Sequence, residues 1–110
     1  MNRSDFTALT TGVHQARMNL MLGKSHDYAT DDVLSNFKRM NHVCELFGIN
    51  TSRGAWDCAM FLALIKIDRW CNLVNSDKAP VNEKIEDTVC DLHNYIDLAY
   101  GIKEEEKKKA

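Results

Sequence analysis

The sequence predicts an all-α protein, a bundle of four main helices with short loops. Apolar residues recur at three- and four-residue steps in four separate stretches, which is the spacing of amphipathic helices. No stretch alternates apolar and polar residues for long enough to suggest a sheet, and one proline and five glycines leave little material for β-turns. A chain of 110 residues fits one domain with a single core.

The first two predicted helices each carry an apolar stripe and end at a glycine. The first runs from about Ser4, a suitable N-cap, to Leu22, with Gly23 as the stop. The second covers about Asp32 to Phe47 and ends at Gly48. We expect both stripes to be buried: Phe6, Leu9, Val13, Leu20 and Met21 in the first helix, and Val33 or Leu34, Phe37, Met40, Cys44 and Phe47 in the second.

Between these helices lies a polar connector, residues 24–32, that contains Lys24, His26, Asp27 and Tyr28. One interpretation is a capping loop, in which Thr30 or Asp31 caps the second helix. The other is that the connector forms part of a polar pocket. Composition favours the capping loop.

One polar residue, Asn36, sits beside the apolar stripe of the second helix. A buried amide without partners costs about 1–3 kcal/mol, so Asn36 must find hydrogen bonds. It is either a structural bridge or a ligand contact.

The third predicted helix extends from about Gly54 to Val74, with Ser52 as its cap. Lys66 and Arg69 share one of its faces, either as surface charges or ion pairs with the last helix, or as a clamp for phosphate. The apolar stripe is wide enough to contact more than one neighbour, and consists of Trp56, Met60, Ala63, Leu64, Ile67, Trp70, Cys71 and Val74.

The last predicted helix, residues 82–101, has two distinct faces and Asn82 as its cap. Asp87, Asp91 and Asn94 form a polar row that Leu98 continues, so we expect the row to face a cleft rather than bulk water. Residues 1–102 form the single predicted domain, and residues 103–110 a charged, frayed extension. The opposite face is apolar: Ile85, Val89, Leu92, Ile96 and Ala99.

Composition excludes several classes of protein. Fourteen basic and sixteen acidic side chains give a net charge of −2, without the basic excess of a duplex nucleic-acid binder. The sequence has no apolar run of the roughly 20 residues that a bilayer span needs and no signal-peptide core, so we expect a cytoplasmic protein. The four cysteines form no CxxC pair and are expected to be reduced core residues.

Three segments, taken together, resemble a known family. They are Lys24–Ala29 (KSHDYA) with Leu34–Phe37 (LSNF), Lys66–Arg69 (KIDR) with Asn72 and Leu73, and Asn82–Tyr95 (NEKIEDTVCDLHNY). Their order and spacing resemble the nucleotide modification associated domain 1 family, small all-helical proteins common in bacteriophages. In outline this family is similar to MazG-like nucleoside triphosphate pyrophosphatases. The resemblance covers about residues 20–100, and a phage-encoded chain would act in the cytoplasm of the host cell.

The resemblance implies a polar site between helices that reads a nucleotide, with a magnesium ion on Asp87 and Asp91. MazG-like enzymes hold magnesium with an ExxE and an ExxD motif. Here Thr88 stands three positions before Asp91, and neither of the first two helices has ExxE, so no catalytic residue is assigned. The implied nucleotide-binding residues are Lys24, Asp27, Tyr28, Asn36, Lys66, Arg69 and Asn94.

Three hypotheses about function follow. The first is a magnesium-dependent nucleotide hydrolase or pyrophosphatase. The second is a binder that captures a nucleotide without consuming it. The third is an oligomeric helical module in which the polar row makes only ion pairs between helices. We expect at least a homodimer in all three cases.

Overall fold

The computed structural model describes residues 1–109, which form four helices joined by loops. The helices are α1 (Arg3–Tyr28), α2 (Ser35–Phe47), α3 (Ala55–Asn75) and α4 (Ile85–Lys109). The part of the chain that the structure describes contains no strand, and the prediction of an all-α four-helix bundle is confirmed.

Helix α3 is the centre of this arrangement. α4 packs along it over the most extensive interface, and α1 and α2 each contact it over a shorter length. The wide apolar stripe of α3 predicted more than one neighbour, and α3 has three.

Helix α1 ends six residues later than predicted. It continues through Gly23 to Tyr28, so the predicted connector is largely its last two turns. A side chain at Gly23 would lie 3.7 Å from Val81, so the loop before α4 packs close to the helix there. The N-cap is Asn2 rather than Ser4, and its Oδ1 accepts a hydrogen bond of 2.7 Å from the Asp5 N–H.

The starts of α2 and α3 also differ from prediction. The N-cap of α2 is Leu34, without a side-chain hydrogen bond, rather than Thr30 or Asp31. The N-cap of α3 is Gly54 rather than the predicted Ser52. The stop of α2 at Gly48 is as predicted, because this residue adopts a left-handed φ of 66°, which glycine accepts most easily.

The charged C-terminal segment is helical up to Lys109 rather than frayed. Its side chains pair at three- and four-residue spacing, which adds a few tenths of a kcal/mol per pair. The pairs are Lys103–Glu106, Lys107–Glu104 and Lys109–Glu105, at 3.1, 3.1 and 3.3 Å. Residue 110 lies outside the described part.

The buried core is small and rich in small side chains. Its apolar members are Ala29, Met40, Ile49, Ala59, Ala63, Leu73 and Ala99. Buried beside them are five polar residues, Asp27, Asp57, Arg69, Asn72 and Thr88. Polar side chains therefore make up a large share of the interior.

The prediction that the apolar stripes are buried is wrong for most of α1 and α2. Phe6, Leu9, Val13, Leu20 and Met21 are each more than half exposed, and in α2 only Met40 is buried. Periodicity identifies the apolar side of a helix but not whether another element covers it. The other residues expected in the core but found exposed are Val33, Leu34, Phe37 and Phe47 around α2, Ile67, Trp70, Cys71 and Val74 in α3, and Ile96 in α4.

The cysteines were also expected in the core, and three of them are not. Cys58, Cys71 and Cys90 are exposed, and Cys44 is half-buried. All four are reduced thiols in the described chain. None of the described helices combines the length and apolar character needed to cross a bilayer.

Candidate functional site

The candidate site is built around a buried ion pair between α1 and α3. Asp27 in the last turn of α1 and Arg69 in α3 have no exposed surface, and Arg69 Nη2 donates to the Asp27 carboxylate. Arg69 also donates to the Thr88 hydroxyl of α4 and to the backbone carbonyl of Glu83. We call these four residues the Asp27 cluster. One guanidinium thus joins α1, α3, α4 and the loop before α4.

The Asp27 carboxylate is also held by the backbone of the α3–α4 loop. The N–H groups of Val81 and Asn82 donate to it over 2.7 and 2.9 Å. Burial alone raises the pKa of Asp27, but these two hydrogen bonds and Arg69 outweigh burial and hold the pKa below its usual value. Asp27 is therefore ionised at neutral pH. Asn82 acts here through its backbone, and α4 begins only at Ile85.

Arg69 is not fully satisfied. Its Nε is buried and has no hydrogen-bond partner among the described residues. The guanidinium lies over the Tyr28 ring, with Cζ 5.8 Å from the ring centroid. A buried donor without a partner costs about 1–3 kcal/mol, so the cluster does not maximise stability.

Two polar side chains donate hydrogen bonds to the carbonyl groups at the end of α1. Asn72 Nδ2 donates to the carbonyls of Asp27 and Ala29 over 3.0 and 3.3 Å. Lys78 Nζ donates to the carbonyls of His26 and Ala29 over 2.7 and 3.1 Å. These bonds satisfy carbonyls that have no partner within the helix, and they fix the end of α1 on α3.

Beside the Asp27 cluster, Lys66 forms a second group that reaches the surface. Its Nζ lies 3.1 Å from Glu83 Oε1, 3.2 Å from Asp91 Oδ2 and 3.4 Å from the Tyr28 hydroxyl. We call Lys66, Tyr28 and Asp91 the Lys66 edge. Burial alone lowers the pKa of Lys66, but Glu83, Tyr28 and Asp91 outweigh burial and raise the pKa above its usual value. Lys66 is therefore a permanent cation. Its side chain is 14 % exposed, and that of its neighbour Asp91 is 42 % exposed.

The structure brings together five of the nine predicted site residues and leaves four apart. Asp27, Tyr28, Lys66, Arg69 and Asp91, from three separate segments, lie in the two groups just described. The other four lie outside them: Lys24, Asp87 and Asn94 are exposed, and Asn36 is half-buried in the first turn of α2.

Only part of the polar row predicted on α4 faces α3. Thr88 and Asp91, one turn apart, face Arg69 and Lys66, whereas Asp87 and Asn94 fall to the side. Sequence reasoning missed Thr88 as a site residue. Its spacing of three residues from Asp91 indicates that the two share one face of α4. Sequence reasoning also missed the contact of Glu83 with Lys66, which no helical spacing could indicate because Glu83 precedes α4.

No protein-family model matches the chain. No curated protein and no solved structure matches it either. The resemblance to the nucleotide modification associated domain 1 family therefore stays an expectation from the sequence.

The two residues predicted to hold magnesium have different surroundings on α4. Asp91 pairs with Lys66, and Asp87 is exposed on a neighbouring face. Within residues 1–109, no group of three or more histidine, cysteine, aspartate or glutamate side chains is placed to hold a metal. Magnesium requires about six oxygen ligands, of which two aspartates supply a minority. Magnesium on Asp87 and Asp91 stays a prediction, and no chemical step is assigned to it.

Loss of the Asp27 charge should be strongly destabilising. Asp27→Asn leaves Arg69 buried without its counter-ion, so we expect the free energy of unfolding to fall by about 3–5 kcal/mol. Glu104→Gln breaks the exposed pair with Lys107 and should cost less than about 1 kcal/mol. Urea unfolding followed by circular dichroism measures both. A loss below about 1 kcal/mol in Asp27→Asn would contradict the role given to the ion pair.

The same carboxylate should make stability depend on pH. Because the folded pKa of Asp27 lies below its unfolded value, the stabilisation is present above about pH 4 and is lost as pH falls through the folded pKa. Urea unfolding of the wild type between pH 6 and 3 should show this decline, and Asp27→Asn should show a shallower one. Part of the slope remains in the variant, because the pKa of Asp57 is also lowered, by Arg53. Equal slopes in the two proteins would contradict the assignment.

Proposed function

We propose that the chain is an oligomeric helical module, a subunit whose apolar faces are covered by further copies of itself. The observation that carries this proposal is its surface area. The single chain exposes 7973 Å², whereas a compact monomer of 12.6 kDa exposes about 6,200 Å². One copy therefore exposes roughly 1,800 Å² more than a self-contained domain.

The elongated shape of the chain accounts for its large exposed area. Its radius of gyration is 18.0 Å, against about 13 Å for a compact domain of 110 residues. The molecule extends 59 × 40 × 26 Å, and much of its length comes from the long helices α1 and α4. An elongated single copy leaves helix faces without neighbours.

The uncovered surface is apolar rather than mixed. An apolar groove of about 430 Å³ between α3 and α4 is lined mainly by Ile67, Trp70, Val74 and Leu92. Further large apolar side chains are exposed along α1 and α2. Soluble monomers rarely leave apolar surface of this extent uncovered.

The additional area has the size of a permanent interface. Standard complexes bury about 800 Å² per partner, and permanent homodimers about 1,000–2,500 Å². The roughly 1,800 Å² of additional exposed area lies within the range for permanent homodimers. A net charge of −2 gives little repulsion between copies.

The polar residues fit a role inside the subunit. Arg69 is paired with Asp27, and Lys66 with Glu83 and Asp91, so both cations already have carboxylate partners. The two groups together hold three carboxylates and two cations, which is unfavourable for a further anion. In this function they set how α1 lies on α3 and α4.

Nucleotide handling is a second candidate function, favoured by one observation. Residues predicted from the family resemblance, at positions as far apart as Tyr28, Lys66 and Asp91, meet at the partly exposed Lys66 edge. Lys66 would leave its carboxylates to bind a phosphate, and Tyr28 would contact a base or sugar. This candidate is compatible with an oligomer.

The oligomer proposal predicts a mass of at least twice the chain mass of 12.6 kDa in solution. Size-exclusion chromatography with light scattering, over a hundredfold range of concentration, measures it. A mass of one chain at the highest concentration would overturn the proposal.

The nucleotide candidate predicts a rise in melting temperature when a ribo- or deoxyribonucleotide is added, because ligands of the folded state stabilise it. A rise that requires magnesium favours a hydrolase, and one without metal favours a binder. Lys66→Met should abolish the rise, while Lys107→Met, in an exposed pair far along α4, should keep it. No rise with any nucleotide, or a rise unchanged in Lys66→Met, would contradict this candidate.

A further inference from the structure

Five apolar residues of α1 lie along one seam that continues through Gly23 to Asp27, and only the C-terminal end of this seam is covered. From Phe6 the steps along the helix alternate three and four residues, through Leu9, Val13, Ala16, Leu20 and Gly23 to Asp27. This is the spacing of a coiled-coil seam, which keeps all seven positions on one side of the helix.

At the C-terminal end the seam is closed by the chain itself. Gly23 packs against Val81, and Asp27 is fully buried against Arg69. The same side of the helix is exposed further back: Phe6, Leu9, Val13 and Leu20 are 58, 53, 60 and 53 % exposed. We call Phe6, Leu9, Val13, Ala16 and Leu20 the α1 seam.

The local sequence does not explain why this half of α1 is helical. Five of the seven residues from Thr7 to Val13 are weak helix formers, three threonines, one glycine and one valine. A helix of such composition is not stable in water without packing, and every residue of α1 before Gly23 except Met18 is exposed. Its N-terminal half therefore needs a surface to pack against.

We propose that the α1 seam pairs with the α1 seam of a second copy of this chain across a two-fold axis. Such an interface presents the same patch on both subunits, and an apolar seam at heptad spacing is complementary to itself. Its area belongs to the roughly 1,800 Å² that one copy exposes beyond a compact monomer. The inference rests on the proposed oligomer and specifies where its subunits meet.

The test uses two charge-introducing variants of the full chain on opposite sides of the same helix. Val13→Glu places a carboxylate in the seam, and Thr11→Glu places one two residues away, on the side of α1 opposite the seam. Light scattering should find the wild type and Thr11→Glu assembled, with Val13→Glu reduced by at least half in mass. Circular dichroism reports whether each variant remains helical.

A milder pair keeps the test decisive if Val13→Glu does not fold. Leu9→Ala shortens a seam side chain on both subunits, and Thr11→Ala is its matched control. Sedimentation equilibrium should find association weakened only in the seam variant, with the dissociation constant raised about tenfold or more in Leu9→Ala and unchanged in Thr11→Ala.

The outcomes separate the two proposals. A monomeric wild type overturns the oligomer and the seam together. An oligomeric wild type with unchanged mass in Val13→Glu and an unchanged constant in Leu9→Ala overturns the seam alone. Equal losses in seam and control variants also overturn it, because the effect would then follow the helix rather than its apolar side.

Discussion

The buried ion pair between Asp27 and Arg69 is the interaction on which the rest of the fold depends. It is the point where the end of α1, the middle of α3 and the start of α4 meet, and both side chains are removed from water. The apolar core around it is small, and beside the pair the end of α1 is held by hydrogen bonds from Asn72 and Lys78. A displaced α1 would leave both charges buried or force them back into water, and either change is costly.

A buried charge pair gives directional contacts that an apolar contact does not. Apolar residues of similar volume are often at least as stabilising as a buried ion pair, and Arg69 retains one unpaired nitrogen. What the pair supplies is a fixed register, because a guanidinium that donates to three groups accepts only one placement of α1 along α3. This register sets the direction in which the rest of α1 leaves the body of the subunit. The internal polar network and the proposed interface thus lie at opposite ends of the same helix, α1.

The two candidate functions use different surfaces of the same subunit. Assembly uses the apolar faces, chiefly of α1, whereas a nucleotide would bind at the Lys66 edge beside the Asp27 cluster. Lys66 already contacts Glu83 and Asp91, so a phosphate must compete with two carboxylates. The apolar faces meet no such competitor in a single copy. This difference is why the geometry favours assembly over binding.

By itself the sequence determined the helical class, four helices and the stop at Gly48, because helical periodicity and left-handed glycine are local properties of the chain. It also identified Asp27, Lys66, Arg69 and Asp91 as residues with unusual placement. Only the tertiary structure decided which of them meet, since the rotation of α4 about its axis selects Thr88 and Asp91 over Asp87 and Asn94. The tertiary structure also decided that the apolar stripes of α1 and α2, predicted to be buried, are largely exposed in a single copy. An amphipathic pattern specifies that a face avoids water, and the identity of the covering surface depends on elements distant in sequence or on another chain.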